Sequence, residues 1–325
     1  MAVLPILVAA LITAGPAGPA LAGPAPRPPA ALTAPARAAG ATMSTTAPAA
    51  GTVSATTAAP STSATLAALP TSGRAGAAAV TAKEAYLVDV TAGTVEYARR
   101  QTRRVPVASL TKVMTAYVVR RSASLDDLVT VSKDDVRHAA ANGATHAGLR
   151  AGERLTVRDM LYALMLPSGA DAANALARRY GPGVRNFVAK MNRAAKTLGM
   201  RDTVYKNADG LPKPGGDRST AQDQVRLANA VLADPVIATI ARTPRYATGK
   251  TAVHRAHVWR NTNRLLPDEA QGLKTGYTRP AGYCLLFTSV RGGHTLVGAV
   301  LGDRSDAARY SSARVLLDGA SANGV

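Results

Sequence analysis

Ser109-Leu110-Thr111-Lys112 is the stretch whose reading decides the fold. Onward from it the apolar residues fall at Leu110, Val113, Met114, Tyr117 and Val118, the spacing of a helix with one buried stripe. Ser109 therefore opens a helix, and Lys112 returns to the same side one turn later, within reach of the serine oxygen. The free N–H groups and positive end of that helix favour a developing oxyanion. This is the layout of an activated nucleophile. Taken alone, S-x-x-K is more simply a capping serine beside a solvated lysine, so the surrounding chain has to decide.

Before the serine, Glu84 to Val90 and Thr94 to Arg99 read as a hairpin turning at Thr91-Ala92-Gly93. After it, Leu128 to Val131 reads as a short strand and the polar stretch through Gly152 as a surface excursion. Thr156, with Asp159 three residues on, caps a helix whose stripe is Val157, Met160, Leu161, Leu164 and Met165. Pro167 ends it, Ser168-Gly169-Ala170 forms the turn, and helical character resumes from Asp171, read as a cap. Further helices follow from Val184 to Leu198, from Thr220 and from Asp234-Pro235. Strands return at Gln271 to Tyr277, Gly282 to Arg291 and Thr295 to Gly302, before a last helix from about Ser305 to Leu317. Strands at both ends with helices between predict an α+β sandwich: one antiparallel sheet built from both chain ends, with a mostly helical region inserted.

The 325 residues do not all build that domain. Val3 to Thr13 is apolar and Ala20-Leu21-Ala22 is a small-x-small cleavage signal, so residues 1–22 read as a secretory signal peptide. Residues 23–80 read as a disordered Ala/Pro/Thr/Ser-rich tether, and 81–325 as the folded domain. The expected location is extracellular and associated with the cell wall, with membrane tethering only if the signal segment stays uncleaved. Three of the 39 basic residues precede residue 81 and no acidic one does, so the domain carries 36 basic against 20 acidic residues. The excess favours anionic partners. The basic residues are scattered, however, and the 4% aromatic content shows no alternation with them, which argues against a nucleic-acid partner. The single cysteine, Cys284, lies in an apolar strand and reads as a buried, inert thiol.

Lys274-Thr275-Gly276 is the second piece of chemistry. On a strand, Lys274 and Gly276 share a face, and glycine lets a substrate backbone approach closely. The order S-x-x-K at a helix start, a loop serine after a second helix, then K-T-G on a late strand resembles the serine penicillin-binding proteins and β-lactamases. Within them the chain is similar to the low-molecular-mass D-alanyl-D-alanine carboxypeptidases, peptidase family S11. The likeness extends to Pro106-Val107-Ala108, Gly148-Leu149-Arg150-Ala151-Gly152, Asp209-Gly210-Leu211, Asn261-Thr262-Asn263 and Gly272-Leu273.

That resemblance implies a β-lactamase/transpeptidase-like fold, a serine carboxypeptidase acting on peptidoglycan stem peptides, and covalent inhibition by β-lactams. It makes Ser109 the acylated nucleophile, Lys112 its base and Ser168 a proton relay. Lys274 and Thr275 hold the substrate carboxylate, Gly276 gives access, and the N–H groups of Ser109 and Tyr277 form the oxyanion hole. A lysine base near neutrality needs a shift of roughly three units, about 4 kcal/mol, to which Lys274 and burial are expected to contribute. One position departs: the family's Asn in the middle motif is Ala170 here, which has no side-chain hydrogen bond to give.

Alternatives keep the same scaffold: a β-lactamase, a D,D-endopeptidase or transpeptidase, or a catalytically weak wall-binding module. Glu269 is the only glutamate between Ser168 and Lys274, and it lies too close to Lys274 for a class A β-lactamase's deacylating residue. His254 and His257 lack a third ligand nearby, so neither a metal nor a cofactor is expected. Gly249-Lys250-Thr251 has Pro244 where a phosphate loop needs glycine. Trp259 reads as packing near the site entrance, and no stable protein partner is evident.

Overall fold

In the computed structural model, which describes residues 80–213, 215–266 and 270–322, the expected hairpin is β1 (Glu84–Asp89) and β2 (Thr94–Arg99). The proposed signal peptide, the tether up to residue 79 and Glu269 lie outside the described residues. Asp89 fixes the hairpin turn by accepting from the N–H groups of Thr91 and Ala92 at 2.8 and 3.1 Å. Late in the chain come β7 (Leu273–Thr278), β8 (Gly282–Arg291) and β9 (His294–Asp303). The five strands form one antiparallel sheet in the order β2-β1-β9-β8-β7, so the two ends of the domain meet at its centre and β7 lies on an edge.

Period-2 patterning explains why both faces of this sheet are covered. Ala85, Leu87, Leu285, Phe287, Leu296 and Val300 pack with Val80, Tyr310, Leu316 and Leu317, burying one face under the final helix, α8 (Asp306–Ala322). Tyr86, Cys284, Leu286, Val297, Ala299 and Leu301 alternate with them and join the core of the helical region. Gly298 stands opposite Phe287, and a Cβ there would enter the Phe287 ring. Cys284 is fully buried, and burial pushes its thiol up to about 12, in keeping with an inert packing role.

The helical region begins with a short 3-10 turn, Ala108–Leu110, that runs into α1 (Thr111–Arg120). Every α1 residue from Thr111 to Val119 is buried, where the sequence suggested a single apolar stripe. The helix is central to the domain, and its polar side chains are accommodated by specific bonds described below. Next come the small pair β3 (Leu128–Thr130) and β4 (Arg154–Thr156), with α2 (Lys133–Ala141) between them. The stretch expected to be an irregular excursion thus contains a helix, started by a reciprocal capping box between Ser132 and Asp135.

Helices α3 (Val157–Met165), α4 (Ala170–Tyr180), α5 (Val184–Thr197), α6 (Ala221–Leu232) and α7 (Pro235–Arg242) follow as the spacing predicts. Thr156, Thr220 and Asp234 cap α3, α6 and α7 through their side-chain oxygens. A second small hairpin, β5 (Arg245–Thr248) with β6 (His257–Arg260), was not anticipated; its strands are four residues each. Among the described residues no helix is long and apolar enough to cross a membrane.

Phe287→Ala is expected to destabilise the domain by about 3–5 kcal/mol, since a fully buried ring is lost over a glycine that offers nothing to fill the space. Urea denaturation measures this, and a loss below about 1 kcal/mol would contradict the packing described.

Candidate active site

Ser109 sits inside the 3-10 turn rather than at a helix cap, and the preceding Ala108 is held at φ +50°. A non-glycine residue in the left-handed region is strained, and here two close approaches keep it there. Gly210, at φ +82°, packs on the Ala108 carbonyl so tightly that a Cβ would collide with it. Gly276 of β7 lies on the other side, where a Cβ would stand 3.0 Å from the Val107 carbonyl and 3.2 Å from the Ser109 nitrogen. The glycine of K-T-G therefore serves the edge strand's contact with the serine turn.

Lys112 Nζ lies 3.0 Å from Ser109 Oγ and donates at 2.7 Å to the backbone carbonyl of Asp209. The lysine is 2% exposed, and the described residues form no salt bridge with it. Burial lowers its pKa to about 8, against the upward pull of the Asp209, Asp171 and Asp217 carboxylates in that order. Desolvation is the largest cause of the shift, and the repulsion between the Lys112 and Lys274 charges acts on both amines. Two other α1 side chains are satisfied from the same segment: Thr115 Oγ1 donates to the Ala208 carbonyl and Thr111 Oγ1 to Asp217 Oδ2, at 2.7 and 2.6 Å. Asp217 also accepts from the N–H groups of Lys206 and Asn207, yet burial raises its carboxyl to about 6.

Lys274 is 1% exposed and its Nζ donates to the Thr275 carbonyl at 3.1 Å. Burial, then the charges of Lys112 and Arg309, lower its pKa well below that of an ordinary lysine. The charged forms of the two lysines therefore disfavour one another. Thr275 Oγ1 is 2.6 Å from Thr262 Oγ1, and the Thr262 N–H donates to the Leu166 carbonyl, tying β7 to the loop that carries Ser168. Thr288 N–H donates to the Gly272 carbonyl, so by the two-residue period the outward-facing backbone groups of this edge strand belong to Leu273, Thr275 and Tyr277. The Tyr277 side chain is exposed and packs on Tyr283 with ring centroids 4.3 Å apart. Arg309 of α8 reaches behind the strand and donates to the Gly276 and Cys284 carbonyls, each at 3.1 Å.

Ser168 is buried at φ +67°, and its hydroxyl makes no hydrogen bond among the described residues, to Ser109 and Lys112 included. Asp171 does not cap α4. Its carboxylate accepts from the N–H groups of Ala147, Leu149 and Ala172, which ties the start of α4 to the loop beside Gly169. Ala170, the first residue of α4, is fully buried and offers only its N–H, which donates to the Thr145 carbonyl. Trp259 is buried, and its Nε1 donates to the Ala147 carbonyl at 2.8 Å. His257 pairs with Glu153 at 3.2 Å, and among the described residues no cluster of three metal-ligating side chains exists. Asp209, Asp171 and Asp217 are site residues that residue-type reasoning missed. Their only sequence signals were the stretch Asp209-Gly210-Leu211 and the aspartate after the middle motif.

The sequence model of the family described as D-alanyl-D-alanine carboxypeptidase matches residues 71–305. The D-alanyl-D-alanine carboxypeptidase of Streptomyces sp. (strain K15) is 37% identical over 254 residues, covering 74% of this chain and 87% of that relative. A D-alanyl-D-alanine carboxypeptidase of Bacillus subtilis (strain 168) is 33% identical over 243 residues, covering 73% of this chain; the chain spans 61% of that longer protein. The crystal structure of the Streptomyces K15 DD-transpeptidase superposes with a TM-score of 0.71 at 36% identity, covering 75% of this chain and 98% of that one.

Gly210→Ala is expected to lower the melting temperature by several degrees, because the new methyl collides with backbone and the residue must keep a positive φ. A calorimetric scan reads the effect, and an unchanged melting temperature would contradict the close approach to Ala108.

Proposed function

The chain belongs to the D-alanyl-D-alanine carboxypeptidase family, peptidase family S11, and from that premise we propose that it removes the terminal D-alanine of peptidoglycan stem peptides through an acyl-Ser109 intermediate. The observation that carries the reading is the buried Lys112 amine, 3.0 Å from Ser109 Oγ with no carboxylate in contact. As a neutral amine Lys112 takes the Ser109 proton while Oγ attacks the carbonyl of the penultimate D-alanine. Charge developing on that carbonyl oxygen is met by the N–H groups of Ser109 and Tyr277, the latter on the outward side of the edge strand. The C–N bond breaks, the leaving amine receives its proton through Ser168, and free D-alanine departs. Water then attacks the acyl-Ser109 ester, Lys112 takes its proton and passes it to Ser109 Oγ as the ester C–O bond breaks, and the shortened peptide leaves with its new carboxylate.

Lys274 and Thr275 hold the substrate's terminal carboxylate. Because Lys274 is depressed by burial and by its cationic neighbours, an arriving anion both gains from it and restores its charge. β-Lactams acylate the same serine and block it. The chain is exported and works at the cell wall. Family relatives include a DD-transpeptidase; transfer of the acyl group to an amine is the same chemistry with another acceptor.

Two outcomes test this reading. Release of D-alanine from a peptide ending in D-Ala-D-Ala, and a covalent adduct with labelled penicillin, are both expected and are both abolished in Ser109→Ala; absence of any adduct in the unmodified protein would falsify the acyl-serine reading. The acylation rate should rise with pH through about 8, since the neutral form of Lys112 is the active one. Separately, Ala170→Asn should raise kcat/KM about five- to tenfold, the worth of one net hydrogen bond of about 1 kcal/mol to the substrate amide. An unchanged kcat/KM would place residue 170 outside substrate contact.

A further inference from the structure

Three carboxylates oppose the loss of the Lys112 proton, and two are held by local donors. Asp171 is bound by backbone N–H groups of Ala147, Leu149 and Ala172, and Asp217 by Thr111 and the N–H groups of Lys206 and Asn207. Asp209 exerts the largest pull of the three, and it alone is met by a titratable base: His138 Nε2 lies 2.6 Å from its Oδ2. Asp209 is 2% exposed, and its own backbone carbonyl is the acceptor for Lys112 Nζ. A continuous line therefore runs from imidazole to carboxylate, to the Asp209 carbonyl, to the Lys112 amine, to Ser109 Oγ.

His138 comes from the last turn of α2, and that helix is itself anchored. Asp135, fully buried on α2, accepts from Asn174 and Arg178 of α4 at 2.9 and 2.8 Å. The turn that His138 grips is braced internally, because Asn207 Oδ1 accepts from the N–H groups of Asp209 and Gly210, and Asp209 Oδ1 from Leu211 N–H. We propose that His138 is a positioning residue of the catalytic site: its imidazolium neutralises the buried Asp209 carboxylate and pins the turn whose carbonyl holds Lys112, so that Lys112 acts as a base near neutral pH. This rests on the acyl-serine reading above.

The charges around the pair set the sign. The hydrogen bond to Asp209 raises the pKa of His138 against burial; the Asp209 charge and Asp135 on its own helix add to the rise, and Lys112 opposes it. The imidazole thus keeps its proton to higher pH than a free histidine. The repulsion between His138 and Lys112 is mutual, so an imidazolium at 138 destabilises the Lys112 ammonium as well. On the far side Lys112 faces Asp171, Asp217 and, from β7, Lys274. Asp134 and Arg137, the other charged groups near His138 on α2, pair with each other at the surface at 2.9 Å.

The test is the pH dependence of Ser109 acylation by a fluorescent penicillin, using the full chain with His138→Gln and the double variant His138→Gln/Asp209→Asn. Glutamine keeps a donor to Asp209 but strands its charge, so the acid limb should move upward by about one pH unit, slowing acylation at pH 7 about tenfold while sparing the high-pH plateau. The double variant removes the stranded carboxylate and should bring the limb back. A purely structural role would lower the plateau without moving the limb, and that result, or an unmoved limb in His138→Gln, overturns the proposal. Nitrogen-15 NMR of the lysine amines in the unmodified protein decides the matter without activity or variants: the Lys112 signal should show a second inflection where His138 titrates, and a single inflection overturns the coupling. Should no adduct form at any pH, the acyl-serine reading fails while this titration still judges His138.

Discussion

A primary amine is buried on the central helix without a carboxylate in contact, and the rest of the site is arranged to keep it there. Moving Lys112 from an ordinary lysine pKa of 10.5 to about 8 corresponds to on the order of 3 kcal/mol of selective destabilisation of its charged form. That destabilisation is produced by α1 being enclosed on all sides rather than on one face. The enclosure is tolerable because Thr111, Lys112 and Thr115 all find partners in one segment: Thr111 with Asp217, Lys112 with the Asp209 carbonyl, Thr115 with the Ala208 carbonyl. Losing any of these would leave a buried polar group unmet, at about 1–3 kcal/mol each.

The same logic sets the walls of the site. The edge strand β7 reaches the serine turn only because Gly276 has no side chain, and the Asn207–Leu211 turn reaches Ala108 only because Gly210 has none. Between these contacts Ala108 is held in a backbone region that alanine rarely adopts, and Ser168 is held likewise on the opposite side. Strain at Ala108 and Ser168 marks places where the surroundings, and not local preference, determine conformation. Arg309 behind β7 binds the carbonyls of two neighbouring strands, so the final helix supports the Lys274-bearing strand from the reverse face.

Much of this was legible in the chain, and the residues show where legibility stops. The S-x-x-K spacing placed the amine on the serine's side of a turn because that relation is local. The antiparallel sheet shared by both chain ends followed from strands at both ends, whereas the edge position of Lys274 emerged only with the strand order. Helix α2 was missed although Ser132-Lys133-Asp134-Asp135 carries a capping box, because the residues behind it, from Arg137 to Asn142, are polar or small and show little apolar period. The β5–β6 hairpin was missed because an eight-residue span separates four-residue strands whose buried positions, His257 and Trp259, are not aliphatic. Asp171 read as a cap because aspartate at a helix start usually is one; here its carboxylate serves a loop more than twenty residues earlier in the chain. Nothing in residue identity could announce that a backbone carbonyl at 209 would receive Lys112, since every residue has one.

The account therefore stands on the ionisation of one amine. Residue-specific nitrogen-15 titration of Lys112 in the unmodified, unliganded protein is the most direct measurement, with the exposed lysines as internal reference. The account predicts a main midpoint near 8, well below the reference lysines; a midpoint for Lys112 coinciding with theirs, about 10.4, would contradict it.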